Sequence, residues 1–530
     1  MKIITPEESK LIDSLLQSKF GIDSLILMEN AARDTLELLS KITNNEWNKY
    51  NFLVFSGTGN NGGDGIALAR HLSSLPPNLK VFIVGDTNKT TKETQKNIEI
   101  LSKIFENIFF IQETNEDIKV YNKDKTTEKE LNHIYEHFNT NTIIIDALVG
   151  VGVKGELRSP IKEVVEIINN LKEKGAKVIS IDVPSGLNLS LKKSEVIKTT
   201  TAVKADKTIT FFSIKSGMFF REIQNFLGEL VVSDLKIPRS VLESLVESKV
   251  FLLTEDHFTR YPEKDIMGDK KKYGRAIFIG GSEKYTGALI LGLKASTKTG
   301  VGYTIAITLE KYDSIVKSQL PEVISIPLPS RDRGFFSKED IKHIKEIVKP
   351  DDVIVFGNGI GTKEETKEFT TEFLESFKEN IIVLDADGIN NLASNRELIK
   401  NLKNREKLII TPHLREFERL SGEENADEDP FGKGLKFWQE TKVNLVLKDN
   451  IMYFYSHDGE IWISNMNKSN LAKGGSGDIL AGLIGGNVAF TKDIKKGVLL
   501  SFFMLGKAST KAQEKYPTSS PSPVDIINEL

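Results

Sequence analysis

Short, apolar, β-branched runs recur along this chain, each followed by a polar or Gly-rich loop and then a helical pattern. In the first half they lie at 52–55, 81–84, 142–145, 178–181 and 208–212. Runs of this length between helical segments predict parallel strands buried on both faces, joined by crossover helices. The pattern restarts after Pro238, at 276–279, 303–307, 353–356, 381–384, 408–410 and 443–447. Runs at 451–455 and 460–464 flank His457-Asp458-Gly459 and predict a hairpin. A single core stops growing near ~250–300 residues, so this 530-residue chain needs at least two. The boundary is expected near 239–250, giving α/β domains at 1–240 and 241–530. Helical spacing over 9–40, broken near Gly21, predicts two helices covering the first sheet. The Lys-, Glu- and Thr-rich interval 88–136 reads as solvated helix and loop.

Composition removes several classes of function. Lys plus Arg number 71 against 74 for Asp plus Glu, which gives no global attraction to nucleic acid or an anionic membrane. Without cysteine there is no disulfide, thiolate metal site or cysteine nucleophile. No apolar run approaches the ~18 residues of a membrane span, and MKIITPEESK lacks a signal-peptide core. A cytoplasmic protein is expected, with neither nucleic acid nor membrane as partner.

Three loops of the first half carry polar groups where parallel strands end. The run at 52–55 leads into Gly57, Gly59, Asn60, Asn61, Gly62, Gly63 and Asp64, and then a helix. Formally this is G-x-G-x-x-G, which suits an anion at a helix N-terminus. The next two are Asp146 with Gly150, Val151, Gly152, Val153, Lys154, Gly155 and Glu156, then Asp182-Val183-Pro184-Ser185-Gly186. Parallel strands bring such loops to one sheet edge. There Asn61, Asp146 and Ser185 could converge as oxygen ligands for a hard cation. Asp182 and Lys154 could face a ligand as acid/base groups.

In the second half, Lys473-Gly474-Gly475-Ser476-Gly477-Asp478 opens an apolar helix. Backbone N–H groups there would hold charge developing on a phosphoryl group. Asp478 could take the proton from a substrate hydroxyl, its alternative role being a helix cap. The loop lacks the G-K-[ST] ending of a Walker A sequence. Other strand ends supply Gly280–Ala288, Gly359 and Gly361, Asp385-Ala386-Asp387-Gly388, Thr411-Pro412-His413 and Lys448, the last a candidate phosphate contact.

These motifs resemble known families. Asn60-Asn61-Gly62-Gly63-Asp64-Gly65, Asp146-Ala147-Leu148-Val149-Gly150 and Asp182-Val183-Pro184-Ser185-Gly186 resemble the signature loops of NAD(P)H-hydrate epimerases over roughly 1–240. The resemblance implies a Rossmann-like α/β/α sandwich that interconverts R and S hydrates of NADH or NADPH. Asn60–Asp64, Gly150–Glu156 and Asp182 would contact the hydrated nucleotide, while Asn61, Asp146 and Ser185 would bind potassium. Roughly 268–510 resembles the ribokinase-like NAD(P)H-hydrate dehydratases. By that resemblance Ala288, Gly359, Gly361, His413 and Asp478 hold the hydrate. Lys448 and Gly477, within the loop Gly474, Gly475, Ser476, Gly477, hold ADP or ATP with magnesium. Three departures stand out: Asp449 for the usual Gly, Leu414-Arg415 for Pro-Gly, and Asn358 for Pro. The expected protein is a bifunctional repair enzyme and a homo-oligomer. The alternative is a ribokinase-like small-molecule kinase carrying a non-catalytic N-terminal module.

Overall fold

The computed structural model describes residues 1–75, 78–114, 117–124, 126–152, 155–196, 201–258, 261–265, 267–330, 332–465 and 469–530. The chain forms two compact units, Met1–Ser248 and Lys249–Leu530. Among the described residues no helix is long and apolar enough to cross a membrane.

Among the described residues the first unit is built on nine strands: β1 Asn51–Ser56, β2 Leu79–Val84, β3 Ile108–Glu113, β4 Ile118–Asn122, β5 Glu128–Glu130, β6 Thr142–Ala147, β7 Lys177–Ile181, β8 Lys207–Phe211 and β9 Glu229–Ser233. Their spatial order is β5-β4-β3-β2-β1-β6-β7-β8-β9. Pairing is parallel from β3 across to β9, and β4 and β5 add an antiparallel edge. Both faces are covered, and the period of two shows it. Phe52, Val54, Ile143 and Ile145 enter one core, whereas Leu53, Phe55 and Ile144 enter the other. The two opening helices are present as Pro6–Phe20 and Ser24–Thr43. Thr5 and Glu8 form a capping box on the first, Gly21 closes it in the left-handed region, and Asp23 caps the second.

The interval 88–136 corrects the sequence reading. It holds the helix Lys92–Ile104 and strands β3 to β5, with Ile98, Leu101, Ile108, Ile111 and Val120 buried. Its charge lies on outward positions and on an edge strand exposed at all three residues, β5, so composition hid the inward half. The edge strands Glu229–Ser233, Val250–Leu252 and Ile324–Leu328 carry no sequence signal either, because an edge strand buries too little to need a long apolar run.

Among the described residues the second unit has ten strands: β10 Val250–Leu252, β11 Arg275–Ile279, β12 Tyr303–Leu309, β13 Ile324–Leu328, β14 Val353–Phe356, β15 Ile381–Leu384, β16 Leu408–Ile410, β17 Asn444–Lys448, β18 Met452–Tyr455 and β19 Ile461–Ser464. Their order is β10-β19-β18-β17-β16-β15-β14-β11-β12-β13. The predicted hairpin is β18–β19, antiparallel, with Gly459 at φ 92° in its turn. The helix Ser476–Thr491 is buried almost throughout, packing Ile479, Leu483 and Ile484 into the core that also holds Phe278 and Val355. Its close approach to the helix Thr286–Thr297 depends on Gly482. A Cβ there would overlap the Gly292 carbonyl oxygen and lie 2.8 Å from Gly292 Cα. Alanine ordinarily gains up to ~1 kcal/mol over glycine inside a helix. Overpacking costs about 1–3 kcal/mol, and here it opposes rigid backbone, so the clash should win. Gly482→Ala is therefore expected to lower the stability of the second unit by about 1–2 kcal/mol. Urea unfolding followed by a probe in that unit checks this, and a rise in stability would contradict the packing.

Candidate functional site

In the first unit strand order reverses between β1 and β6, so the loops leaving their carboxyl ends diverge and open a crevice. A cavity of about 520 Å³ lies there, bounded by Gly59, Asn61, Gly150, Asp182 and Phe212 from four different strand ends and by the helix Pro6–Phe20. Beneath it Asp146, fully buried, organises two of the loops. One carboxylate oxygen accepts from Ser185 Oγ (2.6 Å) and the Leu148 N–H (3.3 Å). The other accepts from Ser180 Oγ (2.8 Å) and the Ser185 N–H (2.9 Å). Burial raises the Asp146 pKa, against these donors. Ser185 Oγ in turn accepts from the Val149 N–H at 2.9 Å. Asn61 is different: both side-chain polar atoms are buried without a hydrogen-bond partner. A Cβ on Gly150 would lie 3.4 Å from Asn61 Cγ and from Asp182 Oδ2, so these residues form one wall.

Asp182 adopts φ 63°, and its Oδ1 accepts from the fully buried Lys215 ammonium, from Thr210 Oγ1 (3.3 Å) and from the Phe211 N–H (3.2 Å). Its Oδ2 remains on the Gly150 side. Asp64 lines the same cavity, and burial, then the charges of Asp182 and Asp13, push its carboxyl well above the usual range.

The glycines serve mainly internal packing. A Cβ on Gly57 would strike the Leu148 carbonyl, and one on Gly62 the Gly57 carbonyl. Gly63 is filled against by Met28 and Thr94; Gly59 alone of these four meets nothing within 4 Å. Asn60, Asn61, Asp64, Gly150, Val151, Gly152 and Asp182 thus line the cavity, whereas Gly62 and Gly63 are turned into the protein. Gly155 and Glu156 are exposed outside it. Val153 and Lys154 lie outside the described residues. Lys215 and Asp13 carried no motif. A polar residue just beyond β8 was the one available signal for Lys215.

In the second unit a group of carboxyls gathers where β14, β15 and β16 end. Asn358 Nδ2 donates to Asp478 Oδ1 at 2.7 Å and to Asp385 Oδ2 at 3.2 Å. Asp385 Oδ1 also accepts from Lys448 Nζ (2.8 Å) and Thr411 Oγ1 (2.7 Å). A Cβ on Gly477 would lie 3.2 Å from Lys448 Nζ. Lys448 is expected at a nucleotide phosphate; the structure pairs it with Asp385. Burial pulls its pKa down, but Asp385, Glu416 and Asp478 together raise it. Asp478 stands in the first turn of the buried helix, after Gly475 at φ 100°, and no side chain caps that helix end. Burial, then the charge of Asp385, pushes Asp478 up to about 7 against the Asn358 hydrogen bond and Lys448. Ser476 Oγ is buried without a partner, and Gly474 faces open space.

The Gly359 loop abuts the start of the helix Thr286–Thr297 that carries Ala288, since a Cβ on Gly359 would strike Tyr285 at its N-cap. Asp387 Oδ2 accepts from the Gly361 N–H at 2.9 Å. His413 acts as a cap: Nδ1 accepts from the Glu416 N–H (3.3 Å) and Glu416 Oε2 from the His413 N–H (3.0 Å). Leu414 and Arg415, in place of Pro-Gly, begin the helix Leu414–Ser421 that this box starts. Burial raises Glu416 to about 7. A larger cavity of about 910 Å³ lies at the opposite edge, where Arg275, Tyr303 and Val353 begin their strands, and holds none of these groups.

The family model described as YjeF-related protein N-terminus matches residues 24–217, and that described as NAD(P)H-hydrate dehydratase matches 276–530. A bifunctional NAD(P)H-hydrate repair enzyme of Dictyoglomus turgidum is 30% identical across 100% of this chain and 98% of its own length. That of Methanocaldococcus jannaschii is 31% identical across 100% of this chain and 93% of its own. The chain belongs to this repair-enzyme family. Its α/β domains follow the family's order, the N-terminal model first. Among solved structures, similarity extends to a ribokinase-like superfamily protein of Enterococcus faecalis (23% identity, TM-score 0.45, 53% of this chain and 93% of that one). It extends also to an ADP/ATP-dependent NAD(P)H-hydrate dehydratase of Bacillus subtilis co-crystallised with ATP/Mg2+ (21%, TM-score 0.43, 53% and 96%).

A raised carboxyl pKa weakens the fold as pH rises. Between about pH 4 and 7 folded Asp478 keeps a proton that the unfolded chain has released, so stability falls across that window. Asp478→Asn removes this loss. Its melting temperature should exceed the wild type's by more at pH 8 than at pH 5, checked by calorimetry at both values. An equal difference at the two pH values would mean Asp478 titrates normally.

Proposed function

We propose that the chain repairs hydrated NADH and NADPH. The first unit interconverts the R and S hydrates. The second dehydrates the S form at the expense of ADP or ATP, releasing AMP and phosphate when ADP is used, and ADP is the donor we favour. The observation that carries this is Asp478: a half-buried carboxyl of raised pKa, at the uncapped start of a helix, tied through Asn358 to Asp385 and its Lys448 partner. Such a group can take the proton of a substrate hydroxyl as its oxygen attacks the terminal phosphoryl group. The N–H groups at the start of this helix, that of Gly477 among them, would hold the phosphoryl oxygens as charge shifts. Loss of phosphate from the ring then restores the dihydronicotinamide. Bound with the nucleotide, magnesium would supply positive charge to the phosphates beside Lys448 and the Gly474–Gly477 loop. Ala288, Gly359, Gly361 and His413 would surround the hydrate, and Lys448 with Gly474–Gly477 the nucleotide.

Loss of the base should cost at least ~10²-fold. Single-turnover dehydration of the S hydrate by Asp478→Asn, at saturating nucleotide, is expected to show that loss, with regain of reduced-nicotinamide absorbance as the signal. A variant within tenfold of wild type would return Asp478 to a capping role. A stable phosphorylated product from the wild type would favour the kinase alternative.

In the first unit the residues present suit a potassium ion. Asn61 Oδ1 is a buried acceptor lacking a donor, on the wall next to the loop tied down by Asp146 and Ser185. Asn61, Asp146 and Ser185 would hold the ion, which supplies positive charge that ties three loops together. Replacing wild-type NaCl by KCl should raise the first unit's melting temperature and speed R/S exchange. Asn61→Ala should abolish both responses; unchanged responses would remove Asn61 from the site.

A further inference from the structure

The helix Pro6–Phe20 places one more carboxyl, Asp13, in the first unit's cavity, where Asp64 and Asp182 also lie. Neither Asp13 nor Asp64 has a hydrogen-bond partner among the described residues. Lys215 cannot serve them. Its ammonium has three donors, and these go to Asp182 Oδ1, Thr210 Oγ1 (2.8 Å) and the Phe211 carbonyl (2.7 Å). Lys10, one turn away on the same helix, is exposed on the rim. Nor are the acids a cation cage, because among the described residues no three His, Cys, Asp or Glu side chains are disposed to hold a metal. The cavity therefore contains an anion with a fixed counter-charge, Asp182, and unpartnered carboxyls beside it.

We propose that Asp13 is the acid/base of the epimerisation, an inference that rests on reading the first unit as the epimerase. In the hydrate the ring carbon bearing the hydroxyl is bonded to the ring nitrogen. Asp13 gives its proton to that hydroxyl, the C–O bond breaks with its electron pair going to oxygen, and water leaves. The nitrogen lone pair forms C=N⁺. Water then adds to the opposite face and returns a proton to the Asp13 carboxylate, which restores the acid and inverts the centre. Asp182 Oδ2, on the cavity side of its Lys215 pair, faces the positive charge formed between these steps. Burial, then the charge of Asp182, against that of Lys215, sets Asp13 near 6, where both protonation forms are accessible at neutral pH. Asp64, Asp182, Lys215 and Lys10 are the charged or titratable groups facing it.

The test follows R/S exchange of hydrated NADH by the full chain in ¹⁸O-labelled water, for wild type, Asp13→Asn and Asp13→Glu. Wild type should exchange epimers and incorporate label at the same rate. Asp13→Asn should lose both by at least ~10²-fold, and Asp13→Glu, which keeps the acid, should retain more than Asp13→Asn. Dehydration of pure S hydrate and the melting curve, measured on the same preparations, report whether the chain is folded. Asp13→Asn within tenfold of wild type overturns the proposal. So does exchange without label, which leaves the C–O bond intact, and so does equal loss in both variants with unchanged melting. A wild type that exchanges no epimers would instead sink the epimerase reading itself.

Discussion

A parallel strand buried on both faces can present polar side chains only at its ends. That constraint shapes both units. The β6 run is buried at all six residues, Asp146 next to its end among them, and β14 at all four, so the charged groups of the two sites stand at strand ends, in the loops beyond, or on the helices that flank them. Desolvation makes an unpaired carboxylate there costly, and how each one is compensated determines what it can do.

Compensation is unequal, and the inequality is chemically useful. Asp146 receives four donors and acts as an anchor between loops. Asp182 and Asp385 each have a lysine, Lys215 and Lys448. Among the described residues Asp478 has one amide hydrogen bond and Asp13 and Asp64 have no such partner, so burial penalises their charged forms and their pKa values rise. Each unit thus sets a well-compensated anion beside a poorly compensated acid. Groups whose environments drive their protonation apart are suited to acid/base work near neutral pH.

Asn358 shows how one substitution fits this scheme. Its side-chain amide donates to Asp385 and Asp478 together, which the proline expected there, lacking a donor, would not do. Leu414-Arg415 in place of Pro-Gly has a similarly local account, since Leu414 starts a helix on the His413–Glu416 box.

The sequence by itself called for at least two cores, and it placed the parallel strands, the opening helices, the hairpin and the polar loops at strand ends. These follow from local rules: apolar period, run length and turn residues act within a few positions. It also named Asp64, Asp146, Asp182 and Asp478, because strand-end and helix-start positions are visible in one dimension. The strands in 88–136 are hidden from a reading by composition, because charged and polar residues on their outward positions and on the fully exposed β5 dominate it. The tertiary structure alone decided partnership. Lys215 meets Asp182 from 33 positions away, Asn358 reaches Asp478 across 120, and Lys448 meets Asp385 across 63. Asp13 enters the cavity from a helix without a motif. Whether a carboxyl is anchor, counter-ion or acid depends on the donors and dielectric around it, and those are set by chain segments that meet only after the sheet has formed.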